Sequence, residues 1–254
     1  MTRRSLIALA TPRRGEAHGA TGSLFVFPAS TKQGHLMDVR GARFPALPNP
    51  SKGSRVDVSV ILAHPRQKSF NHALAVAVVD ALRQDGHAVR FHDLYAERFD
   101  PLLPFEEIRK GGHVDPRVAE HCAEIAEAAG IVFVHPNWWG QPPAILKGWV
   151  DRVLRAGVGY EFLEGDPGEG VPLGLLKARK AVVLNTSNTS PEREREVFGD
   201  PLETLWKNCI LRFCGVPGFV RRTYGVMVTS TAEQRAGWLD DAGEVATRVF
   251  SALP

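Results

Sequence analysis

The chain has 254 residues, 44% hydrophobic and 23% charged, the proportions of an ordinary globular protein. No apolar run approaches the roughly 20 residues that a membrane-crossing helix needs. Three cysteines (Cys122, Cys209 and Cys214) have the spacing of neither a disulfide framework nor a zinc ribbon. The net charge of +3 is uneven: residues 1–55 hold nine Lys/Arg and two Asp/Glu, and the remainder holds 22 and 26, a mildly acidic body with no nucleic-acid footprint.

Residues 1–55 are rich in Pro, Gly, Ser and Arg and carry no sustained period, so a basic, disordered extension is expected ahead of one domain spanning 56–254. Thr2 to Ala10 hints at a twin-arginine or mitochondrial targeting signal, but the apolar run stops at Ala10, too short for a secretory core. Met37 is an alternative start, and Leu24 to Phe27 could add a strand. With no disulfide pattern, the expected location is the cytoplasm.

From residue 56 the pattern alternates. Val56 to Ala63 reads as a buried strand, Asn71 to Arg83 as a helix stopped by Asp85-Gly86, and Ala88 to His92 as a second strand. A helix over 115–129 precedes a third strand, Ile131 to His135, and another helix runs from Pro142 to Arg155. A fourth strand (Lys180 to Asn185), a helix (Leu202 to Phe213), a fifth strand (Phe219 to Val226) and a helix (Ala232 to Ser251) complete the series. Five strands alternating with helices predict an α/β fold, a parallel sheet covered on both faces. Right-handed crossovers favour the flavodoxin-like order 2-1-3-4-5.

In that order the loops after strands one and three face each other across one crevice. The first, His64 to Asn71, can cap its helix through Ser69 or Asn71, and the free N–H groups there suit a phosphate. It has neither P-loop nor dinucleotide glycines. The other loop, Pro136-Asn137-Trp138-Trp139-Gly140, sets two indoles at a strand end, as a platform for a flat ligand or as a lid on the core. His64 and His135 end adjacent strands without a third metal ligand at a local spacing, so no metal site is assigned. Ser69 lacks the surroundings of a nucleophile. The run Glu192 to Glu196 reads as a solvated, self-paired helix start or loop, or as a lid. Lys147 and Asp151 can pair at i,i+4, and Arg152 is expected to reach a partner subunit.

Three segments resemble the NAD(P)H:quinone oxidoreductase family of flavodoxin-like flavoproteins, which includes modulator subunits of potassium efflux systems. They are His64-Pro65 with Ser69 to Leu74; Gly86-His87 with Asp93-Leu94-Tyr95 and Phe99-Asp100-Pro101; and Pro136 to Trp149 with Asp151-Arg152-Val153 and Gly159-Tyr160. The resemblance covers about residues 56–252. It implies a bound FAD or FMN, FAD ahead, with NAD(P)H as co-substrate, a quinone-like small-molecule acceptor and a homodimer, without membrane insertion. It further implies that His64, Ser69, Phe70 and Asn71 hold the flavin phosphate end. Pro136, Asn137, Trp138, Trp139 and Gly140 would lie along the ring, and Thr186, Ser187 and Asn188 would meet the pyrimidine side through backbone N–H groups. The family commonly has Gln at the Trp138 position and an aromatic at Gly140. Phe198 stands where well-known members have a His that, with a Tyr, stabilises charge on the reduced flavin. Hydride transfer needs no general base, so no acid–base catalyst is named. The missing relay and the basic tail leave a second expectation, a redox-sensing regulatory subunit of a membrane transporter.

Overall fold

The computed structural model describes residues 55–109, 112–165 and 170–253. The expectations for residues 1–54, including the Leu24–Phe27 strand, lie outside them. In chain order the elements are β1 (Asp57–Leu62), α1 (Phe70–Gln84), β2 (Ala88–Asp93), α2 (Phe105–Ile108), α3 (Pro116–Glu127), β3 (Gly130–Pro136) and α4 (Ala144–Val153). Then come β4 (Tyr160–Glu161), β5 (Leu173–Gly174), β6 (Lys180–Thr186), α5 (Pro191–Phe198), α6 (Pro201–Thr204), a π-helical stretch (Leu205–Leu211), β7 (Gly218–Tyr224) and α7 (Ala232–Phe250).

The main sheet runs β2-β1-β3-β6-β7, all parallel, which is the expected order; β4 and β5 form a separate two-stranded hairpin. Alternation along the strands divides the core in two, since successive side chains leave a strand on opposite faces. Val58, Val60, Val132, Val134, Val182 and Leu184 face α1 and α7. Ile61, Ile131, Phe133, Ala181 and Val183 face α3, α4 and the π-helical stretch, where Trp149 and Trp206 are fully buried.

Three differences from expectation exceed a shift of one residue at a strand or helix end and bear on the crevice rim. The helix expected over 202–213 is a short α6 followed by π-helical turns, β7 ends at Tyr224, and α4 begins at Ala144 behind Pro142-Pro143. The run at 192–196 is helical: Ser190 caps α5 by accepting from Arg193 N–H, and Gly199 closes it in the left-handed conformation (φ 71°). Arg152 does not reach outward. Its guanidinium is buried against Glu107 (2.6 and 3.0 Å) and the Asp100 carbonyl (2.6 Å), tying α4 to α2. Lys147 and Asp151 do pair, at 2.6 Å.

Candidate active site

The loops leaving the carboxyl ends of β1, β3 and β6 converge on one crevice of about 830 Å³. This edge is where open parallel sheets bind ligands. His64, Ser69, Phe70, Asn71, Pro136, Asn137, Trp138, Trp139, Gly140, Thr186, Ser187 and Asn188 all line it. So do Arg66 and Lys68 of the first loop, Phe198 at the position of the family's His, and Glu194, Pro201 and Met227, which the sequence did not single out.

At the α1 end Ser69, not Asn71, is the cap: its Oγ accepts from His72 N–H. The first-turn N–H groups of a helix have no intrahelical acceptors and carry the positive end of the dipole. No acidic residue stands in that turn, and Arg66 and Lys68 flank it, so the corner is electropositive. His64 Nδ1 lies 3.1 Å from Arg66 N, from which it can accept, and 3.3 Å from the Arg66 carbonyl, to which it can donate. Partial burial, helped by the charges of His72 and Arg66 and opposed by the Arg66 backbone hydrogen bond, pulls its pKa below 6.5. Asn71 is buried; its Nδ2 donates to Thr186 Oγ1 at 2.9 Å, and its Oδ1 has no donor.

The aromatic loop is a tight turn. Trp138 and Gln141 exchange backbone hydrogen bonds (3.0 and 2.9 Å), and both central residues have positive φ: Trp139 at 57° and Gly140 at 69°. Positive φ at both positions is the signature of a type I′ turn. Asn137 Oδ1 braces it by accepting from Gly140 N–H at 3.0 Å. A Cβ at position 140 would lie 2.5 Å from Pro201 Cγ, so Pro201 holds the space that the family's usual aromatic would need. Trp139 is wholly exposed and Trp138 41% exposed, so neither indole closes the core. Trp138 packs beside His64, with ring centroids 6.2 Å apart.

At the end of β6 the expected role of backbone donors needs correcting for Ser187. Ser187 N–H already donates to the Tyr224 carbonyl at 3.0 Å, continuing the β7 ladder past its last pair. Ser187 Oγ accepts from Thr189 N–H, and Asn188 Oδ1 from Val228 N–H. His135 does not face the crevice. It is a buried node of the floor, where Nδ1 donates to the Pro136 carbonyl (2.8 Å) and Nε2 accepts from Trp206 Nε1 (3.0 Å) and Asn185 Nδ2 (2.9 Å). Burial, with Arg221 nearby, lowers its pKa to about 4, and both nitrogens are engaged.

A second cluster joins β2 to α3, and sequence spacing gave no sign of it. His92, Glu97 and His121 bring their ligand atoms within 4.8 Å of one another. His92 meets Glu97 at 3.0 Å and Glu124 at 2.6 Å. His121 Nδ1 accepts from Trp149 Nε1 at 3.1 Å, and its Nε2 lies 3.3 Å from Glu97. An indole N–H only donates, so His121 Nε2 must carry the other hydrogen, toward Glu97. The cluster is therefore a closed hydrogen-bond network rather than a vacant metal site. Against burial, hydrogen bonds to Glu97 and Glu124 raise the His92 pKa above 6.5. Burial pushes Glu97 up, yet bonds from His121 and His92 hold it at about 2.

Comparison with known proteins places this geometry. A profile of the flavodoxin-like fold family matches residues 57–244. The guinea pig (Cavia porcellus) protein NAD(P)H dehydrogenase (quinone) 1 is 30% identical over 206 residues, 70% of this chain and 73% of that protein. The chain belongs to the flavodoxin-like NAD(P)H:quinone oxidoreductase family. A solved NAD(P)H:quinone oxidoreductase from Methanothermobacter marburgensis superposes with a TM-score of 0.68 at 27% identity, covering 77% of this chain and 98% of that one. An FMN-dependent NADH-azoreductase from Bacillus anthracis, solved with FMN, shares the fold at a TM-score of 0.62 and 18% identity, over 77% of this chain and 99% of that one.

Proposed function

We propose that the crevice holds a flavin, FAD or FMN, and that the protein is an NAD(P)H-dependent oxidoreductase acting on a quinone or a similar electron-poor aromatic. The observation that carries this reading is the meeting of an electropositive helix start, an indole-bearing turn and the β6 loop around one 830 Å³ crevice. The names of the guinea pig and Methanothermobacter relatives support it.

The residues present fit a flavin. A buried acceptor without a donor costs about 1–3 kcal/mol. Asn71 Oδ1 is in that state, and a hydroxyl or ring N–H of a ligand in the crevice relieves it. Ser69, Phe70 and Asn71, with His64, Arg66 and Lys68, would hold the phosphate end. Asn137 to Gly140, behind Pro136, would lie along the ring. Thr186 Oγ1 accepts from Asn71 and so keeps its own hydrogen for the ligand. Ser187, whose N–H is engaged, can offer only its side chain. Asn188 N–H has no acceptor among the described residues.

When bound, the flavin supplies two-electron chemistry, taking hydride from NAD(P)H and passing it to the acceptor in a second step. The chain's own part is orientation and electrostatics: donors from the β6 loop, flat indole surface at the rim, and exclusion of water between stacked rings. No side chain in this reading is an acid–base catalyst.

Asn71→Leu, which removes the orphaned acceptor, should weaken flavin affinity by tenfold or more. Wild-type protein that is isolated without flavin and takes none up from solution overturns the reading. Mass spectrometry of cofactor released by heat separates FAD from FMN.

In the same reading residues 56–254 form the flavin domain behind a basic extension, and the protein is a homodimer. Exposed Leu102, Phe105, Ile108 and Phe213 are apolar surface that a second copy can cover, which light scattering tests. A cytoplasmic location accords with three free cysteines. No observation favours the transporter-modulator alternative.

A further inference from the structure

We propose that Glu194 sets the acceptor specificity of this crevice. Its carboxylate selects ring systems that carry a hydrogen-bond donor or a positive charge, such as amino- or hydroxy-substituted quinones, and rejects sulfonated or carboxylated ones. The inference rests on the oxidoreductase reading and adds to it the class of acceptor.

Glu194 is 92% buried, its residue retaining 8% of its surface, and it lines the crevice from α5. Its carboxylate makes no hydrogen bond or ion pair with any described residue. The contrast with Glu107 is direct, since that buried carboxylate is closed off by Arg152 at 2.6 Å. The arginines beside Glu194 in sequence are turned to other tasks. Arg195 pairs with Glu192 at 3.8 Å on the exposed side of the helix, and Arg193 lies over the Phe198 ring at 5.9 Å.

Glu194 lies in the first turn of α5, near the positive start of that helix. The Ser190 cap and the Gly199 stop fix the rotation of that helix, and with it the face from which Glu194 projects. A flat ligand changes the balance by displacing water. An ionised carboxylate can only accept hydrogen bonds, and leaving one desolvated and unpaired is costly. Phe198, Pro201 and Met227, which share the crevice, bring no donor. None of the donors that line the rest of the crevice bonds this carboxylate, so a ligand that carries its own donor satisfies it, and an anionic substituent meets repulsion as well as the missing bond.

The test compares two acceptors, 2-amino-1,4-naphthoquinone and 1,4-naphthoquinone-2-sulfonate, on wild type and Glu194→Gln, both loaded with flavin. Taking the ratio of kcat/KM for the pair in each protein cancels differences in ring reactivity. We expect wild type to favour the amino compound, and Glu194→Gln to shift the ratio toward the sulfonate by about 10- to 100-fold. Equilibrium dialysis of the sulfonate against the oxidised proteins gives a readout free of turnover, with tighter binding to Glu194→Gln expected. An unchanged ratio overturns the proposal, including the case in which only flavin affinity or KM for NAD(P)H moves, since the carboxylate then serves another ligand. Failure of the parent reading is distinguishable, because wild type then neither holds flavin nor turns over either quinone.

Discussion

Trp139→Asn should make the protein more stable and a worse binder. Trp139 occupies a left-handed conformation with its ring wholly in solvent, so the substitution removes no packing. That conformation costs an ordinary residue roughly 1–2 kcal/mol, of which Asn pays only part. The exchange also puts Asn ahead of Gly140, the most favoured pair for a type I′ turn. Recovering about half the strain gives 0.5–1 kcal/mol, or about 1–4 °C in Tm for a domain of this size. Urea unfolding of flavin-free protein measures it. Loss of an indole from the rim should in turn weaken binding of a stacked ring by about 0.5–1.5 kcal/mol, read as a two- to tenfold rise in Kd by titration. A fall in the stability of flavin-free protein would falsify the claim that the turn is strained and its ring unpacked. A stability gain with unchanged affinity would leave the strain argument standing and remove Trp139 from the binding surface.

Other expectations follow from the buried polar groups. Arg152→Leu strands Glu107 and should cost about 3–5 kcal/mol in urea unfolding, much of it restored by Arg152→Leu with Glu107→Leu; no recovery in the pair would refute the stranded-charge account. His135→Leu removes the shared acceptor of Trp206 and Asn185 and should cost about 2–4 kcal/mol, with a change in Trp206 fluorescence as the local check. The β2–α3 network predicts a pH window. The His92 pKa is raised in the fold, so its contribution is complete below pH 6.5 and is lost as pH climbs through the raised value. Glu97 is held at about 2, so its contribution is complete above pH 4.5 and is lost as pH falls toward 2. Between 4.5 and 6.5 both act, and His92→Gln should abolish the alkaline limb of the urea midpoint. An identical limb in that variant would refute the assignment.

What the sequence made legible was what periodicity and chain order encode. The β-branched runs at 58–62, 131–134 and 181–184 are buried on both faces and could only be central strands, and right-handed crossovers then bring the His64 and Trp138 loops together. Contacts between side chains remote in sequence were not legible. Arg152 looked like an outward-reaching cation because nothing marks Glu107, 45 positions earlier, as its buried partner. The charged run at 192–196 looked solvated, since five alternating charges do not reveal which one turns inward. His135 read as a twin of His64, yet one residue's difference in position along its strand put it under the floor, where Trp206 claims it. The π-helical turns after α6 and the closed His92–Glu97–His121 network have no local signature at all.

The segment from Ser190 to Gly199 hangs from the sheet by its two ends, with the Asp200–Arg221 ion pair fastening the chain just beyond it to β7. None of its residues belongs to a strand, and Glu194 and Phe198 are its contribution to the crevice wall. Such a piece behaves as an exchangeable cassette. Mutation can rewrite its inward-facing positions without disturbing the scaffold or the dinucleotide chemistry, so one ancestral frame can diversify into enzymes that differ mainly in what they are willing to reduce.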